Sequence, residues 1–164
     1  MLPEEITKFI GQGSGTSIFK VEKEVIRRFA DAVDDSNPLY WDEDYAKRSR
    51  YGSIIAPPGF ISSPWFSSRP TKWPKRGATT AKGTADLRLA LAKAGFGRIL
   101  DGGMEYEFFG PVRAGDTLTT TAKIKDIIGR EGSTGKMAFL ITETTYTNQN
   151  GKTVAKARAT SIHR

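Results

Sequence analysis

The apolar positions in the first fifty residues repeat with the period of an α-helix. Apolar residues recur every three or four positions at Val25, Ile26, Phe29, Ala30 and Val33, and charged residues lie between them. This spacing predicts an amphipathic helix from about Glu22 to Ala32. The preceding Ser17–Val21 is typical of a short strand. Asp42 can cap a second short helix that runs through Tyr45 and Arg48.

The last third of the chain changes to a pattern typical of strands. Four segments are rich in threonine and in β-branched or aromatic residues: Gly103–Phe109, Thr117–Ile127, Met137–Thr147 and Thr153–Ile162. Asn150-Gly151 predicts a two-residue hairpin turn, because both positions tolerate positive φ, and Gly132–Gly135 serves the preceding turn. The alternating alanines at 155, 157 and 159 give the final strand a small face that lets a helix pack closely. Helices followed by an antiparallel meander predict an α+β fold.

The middle of the chain is the least regular part. Ile54-Ile55-Ala56 meets Pro57-Pro58-Gly59, which predicts a buried helix that starts there and continues through Phe60, Ile61 and Trp65. Pro70–Gly97 indicates a long excursion with a short helix over Ala85–Ala94. Since the sequence has no internal repeat, we expect one domain over residues 1–164, with a basic excursion at about 69–98.

Composition narrows the possible chemistry. The 164 residues include no cysteine and one histidine, which excludes disulfides, thiolate chemistry and a multi-histidine metal site. No apolar run has the length of a bilayer and no leader is evident, so we expect a cytoplasmic protein with no metal and no membrane partner. The whole net charge of +7 lies in residues 69–98, because the rest of the chain is balanced. This segment has one acidic residue, Asp86, and eight basic ones: Arg69, Lys72, Lys75, Arg76, Lys82, Arg88, Lys93 and Arg98. Such a patch attracts phosphates, nucleic acid or an acidic partner surface, and a solvated loop is the plainer alternative.

Three motifs occur in an order that points to a known family. They are Phe29-Ala30-Asp31-Ala32-Val33 leading into Asp35-Ser36-Asn37-Pro38-Leu39, then Tyr51-Gly52-Ser53-Ile54-Ile55-Ala56-Pro57-Pro58, then Phe109-Gly110-Pro111-Val112-Arg113-Ala114-Gly115-Asp116-Thr117. With them the chain resembles the MaoC-like (R)-specific enoyl-CoA hydratases and 3-hydroxyacyl dehydratases. It is most similar to their amino-terminal, FAS1-like dehydratase half-domains, which also occur as separate subunits. The resemblance implies a hot-dog fold, in which a curved antiparallel sheet wraps around a central helix.

The resemblance also implies a reaction: syn addition of water to a trans-2-enoyl thioester, or the reverse dehydration. In the family an aspartate and a histidine, spaced Asp-x-Asn-Pro-x-His, hold the water between them. Asp35, Asn37 and Pro38 match this pattern, whereas Tyr40 stands at the histidine position. Asp35, Asn37 and Tyr40 are therefore the candidate catalytic residues. The family also uses a backbone N–H near the start of the central helix to polarise the thioester carbonyl.

Two departures from the family pattern affect catalysis. Tyrosine titrates near pH 10 and is a poor base at neutral pH. Pro58 stands where the glycine of catalytic members donates its N–H, and proline has none; a shift of one residue would bring Gly59 there instead. Both departures favour the half of a two-part hydratase that lacks the catalytic pair and contributes to the acyl-CoA tunnel. It would form a homodimer, or a heterodimer with a second hot-dog subunit that carries the aspartate and histidine.

Other interpretations stay open at this point. A self-sufficient hydratase would use Asp35 with a substitute base, or Asp35 and Asn37 could simply fix a turn. Coenzyme A, as part of the substrate rather than as a cofactor, could place its phosphates on Arg69, Lys72, Lys75, Arg76 or Lys82, with Trp73 stacking on adenine or serving in packing. A nucleic-acid-binding module would use the same patch with Trp73 and Phe96 as stacking platforms, although no recognised binding motif is present. His163 is expected at the surface or in a partner contact.

Overall fold

The computed structural model describes residues 2–63, 82–132 and 135–164. Its strands are β1 (Gly13–Lys20), β2 (Ile99–Phe108), β3 (Thr117–Gly132), β4 (Gly135–Thr147) and β5 (Thr153–His163). They form one five-stranded sheet in the order β1-β3-β4-β5-β2, and each neighbouring pair is antiparallel. The predicted strands are confirmed, and β3 extends five residues beyond the predicted Ile127. β1 begins at Gly13, four residues before the predicted start.

The helices are α1 (Glu4–Thr7), α2 (Lys23–Ala32), α3 (Pro38–Trp41), α4 (Glu43–Arg48) and α5 (Lys82–Lys93). The predicted amphipathic helix is α2, and it buries Ile26 and Ala30. The Asp42 cap is also confirmed, because the backbone N–H of Tyr45 donates to its Oδ1 at the start of α4 (2.9 Å). The short helix predicted over Ala85–Ala94 corresponds to α5. No helix in the described ranges is long and apolar enough to cross a membrane.

Two groups of buried side chains pack on the sheet. One joins α2, α3 and residues 54–61 to β3, β4 and β5, with Ala155 and Ala157 beneath them. The other joins α1 and α5 to β3 and β4, and Leu87 and Leu91 of α5 are fully buried there. The small face predicted for β5 is thus used for close packing. The three motifs that carry the resemblance, in residues 29–39, 51–58 and 109–117, all contribute side chains to the first of these two groups.

The helix predicted to start at Pro57 is wrong in the described residues. A single 3-10 turn, Phe60–Ser62, forms instead, and it is preceded by Gly59 with φ +86°. A left-handed residue cannot continue a right-handed helix, so Gly59 separates the two prolines from the turn. Trp65, which was assigned to the same helix, lies outside the described residues.

The hairpin at Asn150-Gly151 is confirmed in position, but its predicted two-residue turn is wrong. Five residues, 148–152, separate β4 from β5. Gly151 takes φ +73° and its N–H donates to the carbonyl of Asn148 (3.0 Å), while Asn150 does not adopt positive φ. The Oδ1 of Asn148 accepts the N–H groups of Asn150 and Lys152 (both 3.1 Å). The Asn148 side chain therefore favours a longer turn, in which only one residue needs positive φ.

Candidate functional site

The end of α2 fixes the start of the candidate active segment. Asp34 takes the left-handed conformation with φ +54°, the single non-glycine residue to do so in the described chain. The N–H of Asp34 donates to the carbonyl of Asp31 (3.1 Å), and the N–H of Asp35 donates to that of Ala30 (2.9 Å). These two bonds form a Schellman motif, which ends the helix and turns the chain sharply. The direction in which Asp35 leaves the helix is therefore set by the backbone of the helix itself.

Asp35 and Asn37 are both used to hold the next turn. The N–H of Asn37 donates to Oδ1 of Asp35 (3.1 Å), and the N–H of Leu39 donates to Oδ1 of Asn37 (3.1 Å). Asn37 is thereby the N-cap of α3, and Pro38 occupies the first turn, where a missing N–H costs nothing. The indole N–H of Trp41 donates to the carbonyl of Asp35 (2.9 Å) and closes the segment. These bonds support the structural role for Asp35 and Asn37 that the sequence left open.

Tyr40 is buried, with 6% of its surface exposed. Burial raises the pKa of its hydroxyl above 10, and the charge of Asp35 and the neighbouring Tyr51 raise it further, against a smaller lowering by the Asn37 side chain. A hydroxyl with this pKa stays protonated at neutral pH. The residue at the histidine position therefore cannot accept a proton from water there, although it can donate a hydrogen bond.

An apolar cavity of about 560 Å³ lies beside Tyr40. Its wall combines α3, the Tyr51–Ile61 segment and the residues that follow β2. The lining residues are Asn37, Leu39, Tyr40, Arg50, Tyr51, Ile55, Ala56, Pro57, Pro58, Ile61, Phe108, Phe109, Gly110, Pro111 and Val112. Arg50 is the one charged residue among these, and its Nη2 donates to the hydroxyl of Tyr51 (2.6 Å). The cavity suits a hydrophobic chain with a polar group at one side.

Four backbone donors of this wall are already used. The N–H of Ile55 donates to Leu39 (3.2 Å) and that of Ala56 to Val112 (2.8 Å). The N–H groups of Phe109 and Gly110 both donate to the carbonyl of Val154 (2.9 and 3.2 Å). Three further lining residues, Pro57, Pro58 and Pro111, have no N–H to donate. None of these seven positions can therefore stabilise a developing oxyanion.

The structure does not bring the candidate catalytic residues into one cavity. Asn37, Tyr40 and Pro58 line the apolar cavity, and Gly59 does not. Asp35 lines a separate shallow depression of about 240 Å³, together with Asp31 and Asp34. Asp35 is near enough to Tyr40 to raise its pKa. The residues that line this depression include three carboxylates and neither a histidine nor a cationic residue.

Several predicted residues fall elsewhere. Arg69, Lys72, Trp73, Lys75 and Arg76 lie outside the described residues, as does the side chain of Lys82. The expectation for His163 is wrong, because its side chain is 2% exposed and its Nε2 lies 3.0 Å from the Ser161 hydroxyl. Burial, with the nearby charge of Arg88, lowers the pKa of His163. Phe96 is also buried, at 8% exposure in the group beneath α5, so it cannot be a stacking platform.

Two features were missed by sequence reasoning. Arg50 and Tyr51 form one polar corner of the cavity. Tyr51 begins the second of the three family motifs, but the sequence suggested no role for it. Glu143 is 5% exposed in β4 and holds an ion cluster on the opposite face of the sheet. A lone acid within the threonine-rich Met137–Thr147 was the available signal, since a buried carboxylate requires cationic partners.

Comparison with known proteins gives a consistent result. A family model described as the FAS1-like, dehydratase domain region matches residues 8–157. A UPF0336 protein from Streptomyces avermitilis is 33% identical over 126 residues, which is 76% of this chain and 75% of that protein. A probable enoyl-CoA hydratase alpha subunit from Thermomonospora curvata is 28% identical over 142 residues, 82% of this chain and 42% of that protein.

Solved structures show the same architecture. A chain of the ChsH1-ChsH2 complex from Mycobacterium tuberculosis aligns with a TM-score of 0.75 at 18% identity, covering 92% of this chain and 87% of that one. A chain of the HadBC (3R-hydroxyacyl-ACP dehydratase) complex from the same organism aligns with a TM-score of 0.67 at 23% identity, covering 96% and 98%. A MaoC-like dehydratase from Rhodospirillum rubrum has the same fold, with a TM-score of 0.57 at 21% identity, covering 94% of this chain and 91% of that one. The expected α+β hot-dog fold is confirmed.

Proposed function

Because this chain belongs to the family of FAS1-like dehydratase regions, we propose that it is the non-catalytic half of a two-chain enoyl-thioester hydratase or dehydratase. In this assignment the chain supplies part of the acyl tunnel and the structural partner surface. A second hot-dog chain supplies the aspartate and the histidine. The relative named as an enoyl-CoA hydratase alpha subunit, and the two neighbours that are complexes of different chains, support this division of roles.

The observation that carries the proposal is the environment of Tyr40. Hydration needs one group that takes a proton from water and another that delivers a proton to the α-carbon. Tyr40 occupies the position of the base, and its burial raises its pKa, which is opposite to what a base at neutral pH needs. Asp35 lines a different depression from the cavity that would hold the acyl group. These observations support the proposal that the two groups of the family mechanism are not assembled within this chain.

The second step concerns the oxyanion that develops on the thioester carbonyl. Its stabilisation requires a free donor aimed at the carbonyl oxygen. On the wall near Pro58 the N–H groups of Ile55 and Ala56 are committed to other carbonyls, and prolines occupy positions 57 and 58. The apolar cavity is thus suited to hold a chain, and residues 55–58 of its wall offer no free N–H to activate one.

The cavity also explains why a partner is needed. Phe108 and Phe109 line the cavity at the end of β2, and both are exposed, at 48% and 46%. Aromatic residues that are half-exposed at a cavity mouth are typical of surfaces completed by another chain. A partner placed along β2 would close the cavity and bring its own catalytic pair to the acyl group. The substrate is then an enoyl thioester on coenzyme A or on a carrier protein.

The test is hydration of crotonyl-CoA and of a bulkier enoyl-CoA by the purified chain, alone and with the co-purified partner. We expect no turnover by the chain alone and turnover by the pair. In the pair, Asp35→Asn in this chain should leave kcat unchanged, because an amide oxygen can still accept the N–H of Asn37. Loss of turnover after replacement of the partner's aspartate or histidine is the matching positive result. Robust hydration by the chain alone, abolished by Asp35→Asn, would refute the proposal and favour a self-sufficient enzyme.

A subunit that stabilises the partner without touching substrate makes a different prediction. Ile61→Trp should fill part of the apolar cavity while keeping an apolar side chain there. If the cavity holds the acyl group, this variant raises KM for the bulkier enoyl-CoA more than for crotonyl-CoA. If the chain has only a structural role, both substrates keep their KM values. Size-exclusion chromatography of the variant pair shows whether assembly is intact.

A further inference from the structure

A pocket of about 550 Å³ lies at the carboxyl-terminal end of α5. Three of its five lining residues are cationic and none is acidic or aromatic; they are Gly95, Gly97, Arg98, Lys136 and Arg164. By sequence, the positive excess belongs to residues 69–98 and the rest of the chain is balanced. The fold nevertheless places Arg98, the last residue of that segment, beside two cations from the rest of the chain. The pocket therefore concentrates positive charge that the linear sequence does not reveal.

This pocket is separate from the apolar cavity beside Tyr40. Arg98 directly precedes β2, whereas Phe108 at the other end of β2 lines the apolar cavity. β2 has ten residues, and at about 3.3 Å per residue its two ends are roughly 30 Å apart along the strand. A ligand in the pocket is therefore distinct from an acyl chain held beside Tyr40.

The end of α5 fixes the glycine-rich side of the pocket. Gly95 takes φ +91°, and the N–H of Phe96 donates to the carbonyl of Leu91 (2.9 Å). The N–H of Gly95 donates to the carbonyl of Ala92 (3.1 Å), which completes a Schellman motif. The Phe96 ring is buried in the group beneath α5 and anchors this loop. Because the two carbonyls already accept hydrogen bonds, the negative end of the helix is partly satisfied before any ligand approaches.

The cationic side of the pocket is held by the backbone as well. The N–H of Arg98 donates to the carbonyl of Arg164 (2.7 Å), and the N–H of Arg164 donates to that of Arg98 (2.9 Å). Two residues that exchange both bonds have Cα atoms about 5.5 Å apart and side chains on the same face of the sheet. The two guanidinium groups are therefore neighbours, and Lys136 at the start of β4 lines the same pocket.

These three cations have no counter-charge in the described part of the chain. None of them forms an ion pair with a described residue. Glu131 stands opposite Lys136 in the register of β3 and β4, yet it forms no ion pair with it. Like charges held close together without an acid produce a positive potential that attracts anions.

The lining groups match an oxyanion that carries several charges. A guanidinium group donates two parallel N–H bonds to a phosphate, and an ammonium group adds a point charge. The N–H of Gly97 donates to no described residue, so the pocket also has a free backbone donor. A single phosphate group carries about two negative charges at neutral pH, which is fewer than the three cations. A ligand with two linked phosphate groups therefore balances the pocket better than one with a single phosphate.

We propose that this pocket binds a diphosphate, either the free ion or the diphosphate group of a nucleotide. Arg98 and Arg164 bind its oxygens with their guanidinium groups, Lys136 adds charge, and the N–H of Gly97 donates to it. The pocket has no aromatic residue on which a base could stack, so recognition is confined to the phosphates. This site goes beyond the proposed function and does not depend on it.

Isothermal titration calorimetry of the whole chain with pyrophosphate, phosphate, ADP and citrate at equal ionic strength tests the site. Arg98→Gln/Arg164→Gln removes both guanidinium groups and leaves the backbone bonds possible, and Lys136→Gln is a second, milder variant. The matched control, Arg28→Gln/Arg48→Gln, removes the same charge from exposed residues of α2 and α4. Circular dichroism establishes that each variant is folded, and the NMR signal of the Gly97 amide reports on contact with the ligand.

We expect pyrophosphate to bind at least about tenfold more tightly than phosphate, and Arg98→Gln/Arg164→Gln to weaken pyrophosphate binding at least about tenfold. Lys136→Gln should weaken it less, the control should match the wild type, and pyrophosphate should shift the Gly97 amide signal. ADP that binds as tightly as pyrophosphate points to a nucleotide as the source of the diphosphate, and weaker binding of ADP points to the free ion; both support the site.

Four results would overturn the proposal. They are no binding of pyrophosphate by the wild type, equal binding by wild type and Arg98→Gln/Arg164→Gln, citrate bound as tightly as pyrophosphate, and a Gly97 amide signal that does not move. A short DNA duplex that binds more tightly than pyrophosphate, and is lost in Arg98→Gln/Arg164→Gln, would assign the surface to nucleic acid and also overturn it.

Discussion

Replacing Glu143 by glutamine tests whether the ion cluster of Glu143 with Lys123, Lys125 and Arg158 holds the sheet together. The carboxylate of Glu143 is 6% exposed, and it joins β3 to β5 through Lys125 and Arg158 at 2.9 Å each. Hydrogen bonds from Lys125 and Arg158 lower the pKa of Glu143 from 4.5 to about 2, against the smaller opposing effect of burial. Glutamine has the same shape but no charge, so the variant leaves three cations around a neutral amide.

The expected magnitude follows from the pKa. One pKa unit corresponds to about 1.4 kcal/mol, so the lowered value corresponds to about 3 kcal/mol of folding free energy when Glu143 is ionised. Because Lys123 and Lys125 are about half-exposed, solvent screens part of this. We expect Glu143→Gln to lower the free energy of unfolding by about 2–3 kcal/mol at pH 7. The contribution is complete above pH 4.5 and is lost as the pH falls toward 2, because the folded state binds the proton less readily than the unfolded state.

Urea unfolding followed by circular dichroism at several pH values between 7 and 2 measures the effect. The wild type and Glu143→Gln should differ most above pH 5 and converge toward pH 2. Glu131→Gln is the matched control, since Glu131 is exposed and forms no ion pair with the described residues; it should change stability by less than about 0.5 kcal/mol. A difference between Glu143→Gln and wild type that stays constant with pH would show that packing, and not charge, is responsible.

Three further substitutions test other parts of the structure. Asp34→Ala should be about 1 kcal/mol less stable than Asp34→Gly in urea unfolding, because alanine has no way to relieve a φ of +54°; equal stabilities would contradict the Schellman assignment. Gly102→Ala should lower stability by about 1–3 kcal/mol, because its Cβ would lie 3.0 Å from the carbonyl oxygen and 2.8 Å from the Cγ2 of Thr160. Gly97→Ala, with no atom within 4 Å of the new Cβ, is the control for Gly102→Ala and should be nearly neutral; urea unfolding measures both. Tyr40→His should give no hydration of crotonyl-CoA by the chain alone, because the N–H groups of Ile55 and Ala56 stay committed and residues 57 and 58 have none; turnover in this variant would locate an oxyanion donor elsewhere.

The regular elements could be predicted because their patterns are local. The helical spacing through Val25, Ile26 and Phe29 defines α2, and the threonine-rich alternation of the last third defines four strands of the sheet. The Asp42 cap followed from one residue type at one position. The overall fold could be predicted as well, because three separate motifs of one family occur in the chain in the expected order.

The rest depended on contacts between residues distant in sequence. The conformation at Gly59 is set where Phe60 enters the core against Phe29, with the two rings 5.7 Å apart, and no local pattern around Pro57 indicates it. His163 looks like a terminal surface residue in the sequence, but β5 lies between β4 and β2, and this buries its last residue. Glu143 gains its cations from Lys125 of β3 and Arg158 of β5, which are 18 and 15 residues away in the sequence. A contact with α2 decides the first case, and position in the sheet decides the other two; the sequence encodes neither locally.

The hydrogen bonds that the Asp35 and Asn37 side chains accept just after the Schellman motif have a consequence for how such proteins evolve. Asp35 and Asn37 each accept a backbone N–H that would otherwise be unsatisfied beside the core, so replacing either residue lowers stability whether or not the chain catalyses anything. Selection for folding alone can therefore preserve Asp-x-Asn-Pro after a duplicated copy has lost its base. The motif would then persist in lineages that share a common ancestor with enzymes but not their turnover. Genome surveys that count hydratases by this motif would overestimate their number, and the identity of the residue two places after the proline is the better guide.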